Sequence, residues 1–238
     1  SVGRWLALIE PVLAALQAER RPAIVVGGTG LYLHALLHGI PAMPVIPAAL
    51  RAEMRVWAAA GPAAAPYARL QRCDPAMAAR LQPGDQQRVL RALEVVEATG
   101  RSLLAWQADP RQRLKWPVTP IGVALVPPST TVNPRLEARL DLMLDVGAMA
   151  EVADLLMRRP DATLLPIAKV HGLRELAAVH RGALAVERAR TSIAAQIRQY
   201  AKRQRTWFRH QLPELQPLAM TGETDAALAA ITAWLGTR

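Results

Sequence analysis

A short apolar run, Ala23-Ile24-Val25-Val26, leads into the glycine-rich turn Gly27-Gly28-Thr29-Gly30. A helical pattern follows over Leu31 to Leu37 and stops at Gly39 and Pro41. Four apolar residues closed by glycines predict a buried strand of the parallel type. Strand, glycine turn and helix together form the repeating unit of an α/β sheet, and that constrains the fold more than any other feature. Glycine turns at such junctions often hold phosphate, but neither standard pattern fits. A Walker loop needs G-x-x-x-x-G-K-[ST], which occurs nowhere in the chain. A dinucleotide fingerprint counted from Gly28 fails at Leu33, where a third glycine is required. Two readings stay open. The glycines serve a tight turn that favours positive φ, or the Thr29 hydroxyl faces a ligand beyond the strand end, where α/β sheets bind.

Composition narrows the partner. Hydrophobic residues make up 52% of the 238 and charged residues 20%, as expected of a globular chain. No apolar run approaches the roughly 20 residues that span a bilayer, and no signal-peptide pattern is present, so no membrane partner and a cytoplasmic location are expected. Cys73 is the single cysteine, which excludes an internal disulfide or a thiolate cluster. The formal net charge is +10, which favours a polyanionic partner.

Periodicity and punctuation place the remaining elements. Trp5, Leu8, Ile9, Val12, Leu13 and Leu16 form an apolar stripe on a helix over 4–19. From 41 to 116 the texture is helical without a convincing strand, with alanine-rich helices over 47–60 and 62–72. Asp74-Pro75 and Asp85 look like N-caps, the second opening a helix over Gln86–Ala98 that stops near Gly100. Strand character returns over Val118–Val126. Asn133-Pro134 reads as a helix start running to about Val146, and a further helix follows Gly147 to Arg158. A long helix covers Glu187–Arg209 and an amphipathic tail covers Asp225–Leu235. The expected organisation is an α/β core over 1–40, a helical insert over 41–116, and a second part of the core over 117–238.

Three basic clusters carry the functional reading. In "RQYAKRQRTWFRH", Arg198, Lys202, Arg205 and Arg209 fall on one helical face, with Ile193, Ile197, Tyr200 and Trp207 opposite. From Arg188 to His210 there are seven Lys or Arg and no acid. A solvated face normally mixes signs, so this stripe favours phosphate backbones. In "DQQRVLRALEVVEATG", Gln87, Arg88 and Arg91 cluster near a helix start, with Val89, Leu90, Leu93 and Val96 on the buried side. Arg135 and Arg139, at i and i+4, are either paired with Glu137, Asp141 or another local acid, or form an anion clamp. His34, His38, His171, His180 and His210 have no metal-ligand spacing, although His34 and His38 are one helical turn apart.

Together these segments resemble the tRNA dimethylallyltransferase (tRNA isopentenyltransferase) family. "VVGGTGLYLHALLHG", "DPAMAARLQPGDQQRVLRALEV", "PRLEARLDLMLDVGAMAEV", "KVHGLREL" and "RQYAKRQRTWFRHQL" occur in the family's order between Ser1 and about Gln211. The resemblance implies a P-loop-NTPase-like parallel sheet core with an inserted all-helical domain. It implies transfer of a dimethylallyl group from its diphosphate to the exocyclic amine of the adenosine 3′ of the anticodon in tRNA. Carried over, Thr29 and Arg139 would be the catalytic residues, Thr29 meeting the tRNA near the target base and Arg139 binding the donor diphosphate. Arg51, Gln87, Arg88, Val89, Leu90 and Arg91 would contact tRNA, as would Lys202, Arg203, Gln204, Arg205, Thr206, Trp207, Phe208 and Arg209. Mg²⁺ is the implied cofactor, its protein ligand lying outside these residues. The tRNA anticodon stem-loop and dimethylallyl diphosphate are the implied partners of a monomer.

The family's phosphate loop and a D-S-x-Q-V-Y element are not in this sequence. The non-methionine start and immediate helix fit the expectation of a sheet core lacking its first strands, inactive as this fragment. The alternative is a non-catalytic RNA-binding remnant of that enzyme. An isopentenyltransferase acting on free adenine nucleotides would need neither the insert nor the basic stripe, and a P-loop kinase would need the loop. Leu173 and Ile197 replace residues that are often tyrosine and threonine in the family.

Overall fold

In a computed structural model of the chain, residues 1–112, 121–219 and 224–236 are described. The chain divides into two compact units, Ser1–Ile24 with Leu31–Pro117, and Val25–Gly30 with Val118–Arg238.

The first unit is helical. Helix α1 (Val2–Ala18) starts on the Ser1 hydroxyl, which accepts the Arg4 N–H, and of its apolar stripe Leu8 and Val12 stay exposed. The expected strand at Ala23–Val26 does not form. A strand exists through its neighbour's backbone groups, and no ladder among the described residues includes this segment. Ile24 and Val26 are accordingly 85% and 88% exposed. Helix α2 (Gly30–His38) ends where Gly39 takes φ 73°, and its neighbour β1 (Ile40–Pro41) pairs antiparallel with β2 (Arg111–Gln112), two short strands that the sequence did not announce.

Between them lie α3 (Ala48–Ala60), α4 (Ala65–Cys73), α5 (Pro75–Ala78), α6 (Gln86–Thr99) and α7 (Leu103–Ala108). The caps are those expected: the Asp74 carboxylate accepts the Met77 N–H at 3.1 Å and Asp85 accepts the Arg88 N–H at 3.2 Å. Gly100 closes α6 at φ 66°. Met54, Leu70, Met77, Val89, Leu93 and Val95 build the core that these helices share.

The second unit is mostly helical around one parallel strand pair. Strand β3 (Val123–Val126) is followed by α8 (Ser129–Asp145), α9 (Ala148–Arg158), α10 (Leu173–His180) and α11 (Val186–Gln211). Strand β4 (Gln216–Ala219) returns parallel to β3, with Val123 opposite Gln216, and α12 (Thr224–Gly236) follows. The α/β character is therefore present in small form, as a two-stranded parallel sheet. Of the expected strand over Val118–Val126, residues 118–120 lie outside the described residues.

Helix α8 begins at Ser129 and not behind Asn133. Pro128 supplies the extended entry, and Pro134 sits inside the helix, at the cost of one backbone hydrogen bond. Gly147, at φ 120°, separates α8 from α9 as anticipated. Leu140, Val152, Leu173, Leu176, Ala177 and Ile193 form the core of this unit, so the interior face of α11 is its Ile193 end. Trp234 of α12 donates its indole N–H to the Gln216 side chain at 2.8 Å. Among the described residues, no helix is long and apolar enough to cross a membrane.

Candidate functional site

The glycine turn and α11 meet within the second unit. The Gln204 side-chain amide donates to the Gly28 carbonyl at 2.7 Å. A Cβ on Gly28 would stand 2.0 Å from Gln204 Nε2, and one on Gly30 would stand 2.1 Å from Trp207 Cε3. Gly30 is thus required by the close approach of the Trp207 ring, whereas at Gly28 the neighbour is the end of a flexible side chain. None of Gly27, Gly28 and Gly30 has positive φ, which corrects the expectation of a left-handed turn. Gly30 is buried against the indole while Thr29, between the two contacts, is exposed. The turn therefore leaves Thr29 exposed between two glycines that α11 contacts.

The cations of α11 differ in their partners, and Arg188, near its start, has no carboxylate partner among the described residues. Towards its start, Arg190 donates to both oxygens of Asp141 and Arg198 donates to Glu137, tying α11 to α8. The Arg190 hydrogen bonds hold the Asp141 carboxyl below its ordinary range. Arg198 is therefore not part of an available stripe, which corrects the sequence expectation.

Further along, Lys202, Arg203, Arg205 and Arg209 have no carboxylate partner among the described residues. Together with Thr206, Trp207 and His210, Lys202 and Arg203 line an open groove of about 710 Å³. Phe208 meets Trp207 edge to face at 5.9 Å between ring centres. Tyr200, expected on the buried side, is 42% exposed and rests edge-on against His171 at 5.1 Å. On α8, Arg135 and Arg139 are both exposed. The acids weighed as their partners, Glu137 and Asp141, are taken by Arg198 and Arg190. Neither Arg135 nor Arg139 has an ion pair among the described residues, which leaves both guanidinium groups open to an anion.

The residues expected on the helical insert belong to the first unit. Arg51 of α3 and Arg91 of α6 both approach the Glu94 carboxylate, at 3.7 and 3.5 Å. Arg88 is bound to Asp85 at 2.7 Å, and Gln87 is exposed beside it. Val89 is fully buried in the core and Leu90 is half-buried. Val89 is thereby removed from the set of contact side chains. Its place is to hold α6, as the apolar face of an amphipathic helix does. Two participants escaped sequence reasoning. Glu94 was readable as an acid set between the core residues Leu93 and Val95. The Gln204–Gly28 bond joins residues 176 apart and leaves no local signal. The His34 and His38 rings lie 4.6 Å apart, tilted by 53°, and among the described residues no group of three or more His, Cys, Asp or Glu converges to hold a metal ion.

Comparison with known proteins fits this arrangement. The family model described as IPP transferase matches residues 1–211. A tRNA dimethylallyltransferase of Rhodospirillum rubrum is 45% identical over 213 residues, covering 89% of this chain and 65% of that protein. One from Nitrobacter hamburgensis is 44% identical over 231 residues, covering 97% of this chain and 72% of that one. Among solved structures, a tRNA isopentenylpyrophosphate transferase of Bacillus halodurans superposes with a TM-score of 0.62 at 25% identity, covering all of this chain and 73% of its own. A eukaryotic dimethylallyltransferase acting on tRNA superposes at 0.71 with 21% identity, covering all of this chain and 63% of its own, a likeness of fold. The chain spans about two thirds of the length of such relatives.

Proposed function

This chain belongs to the IPP transferase family, and from that premise we propose that it is the RNA-holding part of a tRNA dimethylallyltransferase. The reaction would move a dimethylallyl group from dimethylallyl diphosphate to the exocyclic amine of the adenosine 3′ of the anticodon. The observation that carries the reading is the glycine turn clasped by Gln204 and Trp207 on the same helix that offers Lys202, Arg203, Arg205 and Arg209 without a carboxylate partner among the described residues. RNA phosphates on those cations would bring a nucleotide to the Thr29 hydroxyl, which can donate or accept one hydrogen bond at its edge. Arg139 would bind the diphosphate that leaves, stabilising the negative charge that develops on it. Val89 is left out of the contacts, and Gln204 and Trp207 act by seating the turn.

Mg²⁺ bound to the donor would neutralise its diphosphate. Among the described residues no group of three or more His, Cys, Asp or Glu converges to hold it. The 238 residues hold no G-x-x-x-x-G-K-[ST] to anchor a diphosphate. Tested alone, as a monomer, they are expected to bind the anticodon stem-loop without transferring the group. Binding of a synthetic anticodon stem-loop should weaken with salt, with a logarithmic slope of about 0.7–0.9 per phosphate contact. A salt-independent affinity would remove RNA from the reading, and label transferred from the donor by these residues alone would remove the inactivity. Thr29→Ala should keep the melting temperature and lower RNA affinity by about threefold to tenfold, the size of one lost hydrogen bond. Unchanged affinity would return Thr29 to a plain turn position.

A further inference from the structure

We propose that Glu94 is a positioning residue that sets the guanidinium groups of Arg51 and Arg91 into one fork for an RNA phosphate. The inference rests on the RNA-binding reading and concerns the first unit alone. Glu94 is 6% exposed, on an α6 face whose neighbours Leu93 and Val95 are fully buried. A carboxylate in such a place is costly unless it is paired. Its pairing here is unusual in number. Arg69 with Glu97, Arg88 with Asp85 and Arg101 with Asp109 are one-to-one pairs in the same unit, whereas Glu94 faces two arginines. One carboxylate between two guanidinium groups leaves a net charge of +1 at that point.

The donors are left over as well. The Arg51 and Arg91 side chains remain 42% and 35% exposed, and at 3.7 and 3.5 Å they approach Glu94 as ion pairs without a close hydrogen bond. Each guanidinium has five N–H donors in a fixed plane, so both can face outward to phosphate oxygens while the carboxylate holds their bases together. The two arginines come from different helices, α3 and α6. Without Glu94 between them, two like charges would drive each other apart and lose the common geometry.

A charge-only view and a positioning view disagree in sign. Removing a carboxylate from an RNA-binding face adds positive charge, and charge alone predicts tighter binding. Positioning predicts weaker binding in spite of the added charge. The test measures the affinity of the full 238-residue chain for an anticodon stem-loop RNA, with helicity checked by circular dichroism. Glu94→Gln is expected to bind about threefold to tenfold more weakly, in the range of coupled neighbouring groups.

Glu94→Asp, which keeps the charge and withdraws the carboxylate by one methylene, should also weaken binding. It carries the test if Glu94→Gln loses its helical signal. Glu97→Gln makes the same charge change on the same helix and should bind as well as wild type or slightly better. In an Arg51→Ala, Arg91→Ala background, Glu94→Gln should have no further effect. Equal or tighter binding by Glu94→Gln overturns the proposal, and so does a loss that persists without the two arginines. If wild type binds RNA but Arg51→Ala and Arg91→Ala bind equally well, the fork falls and the RNA reading stands. If wild type shows no salt-sensitive binding, both fall.

Discussion

Arg51, Arg88 and Arg91 in the first unit and Lys202, Arg203, Arg205 and Arg209 on α11 look alike as sequence, both being basic residues on amphipathic helices. In the structure they differ in kind. Every arginine of the first set has a carboxylate within ion-pair distance, while no cation of the second has one among the described residues. A count of charges therefore overstates what the first set can offer a polyanion and describes the second fairly. The first set offers placement, and the second offers field. Association with RNA should draw its salt sensitivity from α11 and its geometry from α3 and α6.

The largest effect should come from reversing charge where it is unpaired. Lys202→Glu with Arg205→Glu is expected to lower RNA affinity about a hundredfold at low salt and to reduce the salt slope by about 1.4–1.8, the loss of two phosphate contacts. The same double reversal at Arg88 and Arg91 should lower affinity less and move the slope by less than one contact. Titrations at several salt concentrations decide it, and equal slopes for the two variants would erase the distinction between the regions.

Next in size is the seating of the turn on α11. Gly30→Ala would press a methyl group into the Trp207 ring, and overpacking of this kind costs about 1–3 kcal/mol. Gly28→Ala meets the end of the flexible Gln204 side chain, so its cost to stability should be smaller, with loss of the 2.7 Å bond to the carbonyl. Gly27→Ala meets nothing within 4 Å and should be close to neutral. Melting curves should rank the three in that order. A neutral Gly30→Ala would mean that the turn is not held by Trp207.

How much of this was legible in the sequence follows from the range of the forces involved. Caps at Asp74 and Asp85, the stop at Gly100 and the break at Gly147 are local, and the chain alone announced them. The Ala23–Val26 segment and the Asn133-Pro134 start were misread because their evidence was equally local but the outcome was not. A strand needs a partner elsewhere in the chain, and Pro134 was accommodated inside a helix already begun at Ser129. At the site, the basic character of α11 could be read off its periodicity. Which of its arginines were already spoken for depended on Glu137 and Asp141 of α8, which only tertiary packing brings alongside.

The ion pairs on α8 allow a smaller test at acid pH. Arg190 lowers the Asp141 pKa, first through its hydrogen bonds and then through its charge. A folded value below the unfolded one gives stability that is complete above the ordinary 3.8 and is lost as pH falls through the folded value. Asp141→Asn should therefore narrow the stability difference between pH 6 and pH 3, and acid titrations followed by circular dichroism would register it. Because the pair ties α11 to α8 at the start of the helix, RNA affinity at neutral pH should change less than in the Lys202 and Arg205 variant. A larger change would mean that the paired and unpaired cations of α11 are not separable.

The smallest effect tests whether pairing is what quiets Arg88. Asp85 does two things at once: one oxygen caps α6 through the Arg88 N–H and the other holds the Arg88 guanidinium at 2.7 Å. Serine at that position can keep the cap, since Ser and Asp rank nearly equal as N-caps, but it carries no charge to hold the arginine. Asp85→Ser should thus leave the melting temperature within about 0.5 kcal/mol of wild type in stability. The Arg88 side chain is already 75% exposed, so release requires no rearrangement of the core. If the carboxylate is what separates the first unit's arginines from those of α11, RNA affinity should rise by about twofold and the salt slope should steepen by a fraction of one contact. Asp85→Ala serves as the comparison, losing cap and partner together, and should show the affinity gain only with a fall in stability of about 0.5–2 kcal/mol. Unchanged affinity in Asp85→Ser, with the fold intact, would mean that Arg88 faces away from the RNA whatever its partner. The difference between the regions would then be one of position and not of pairing.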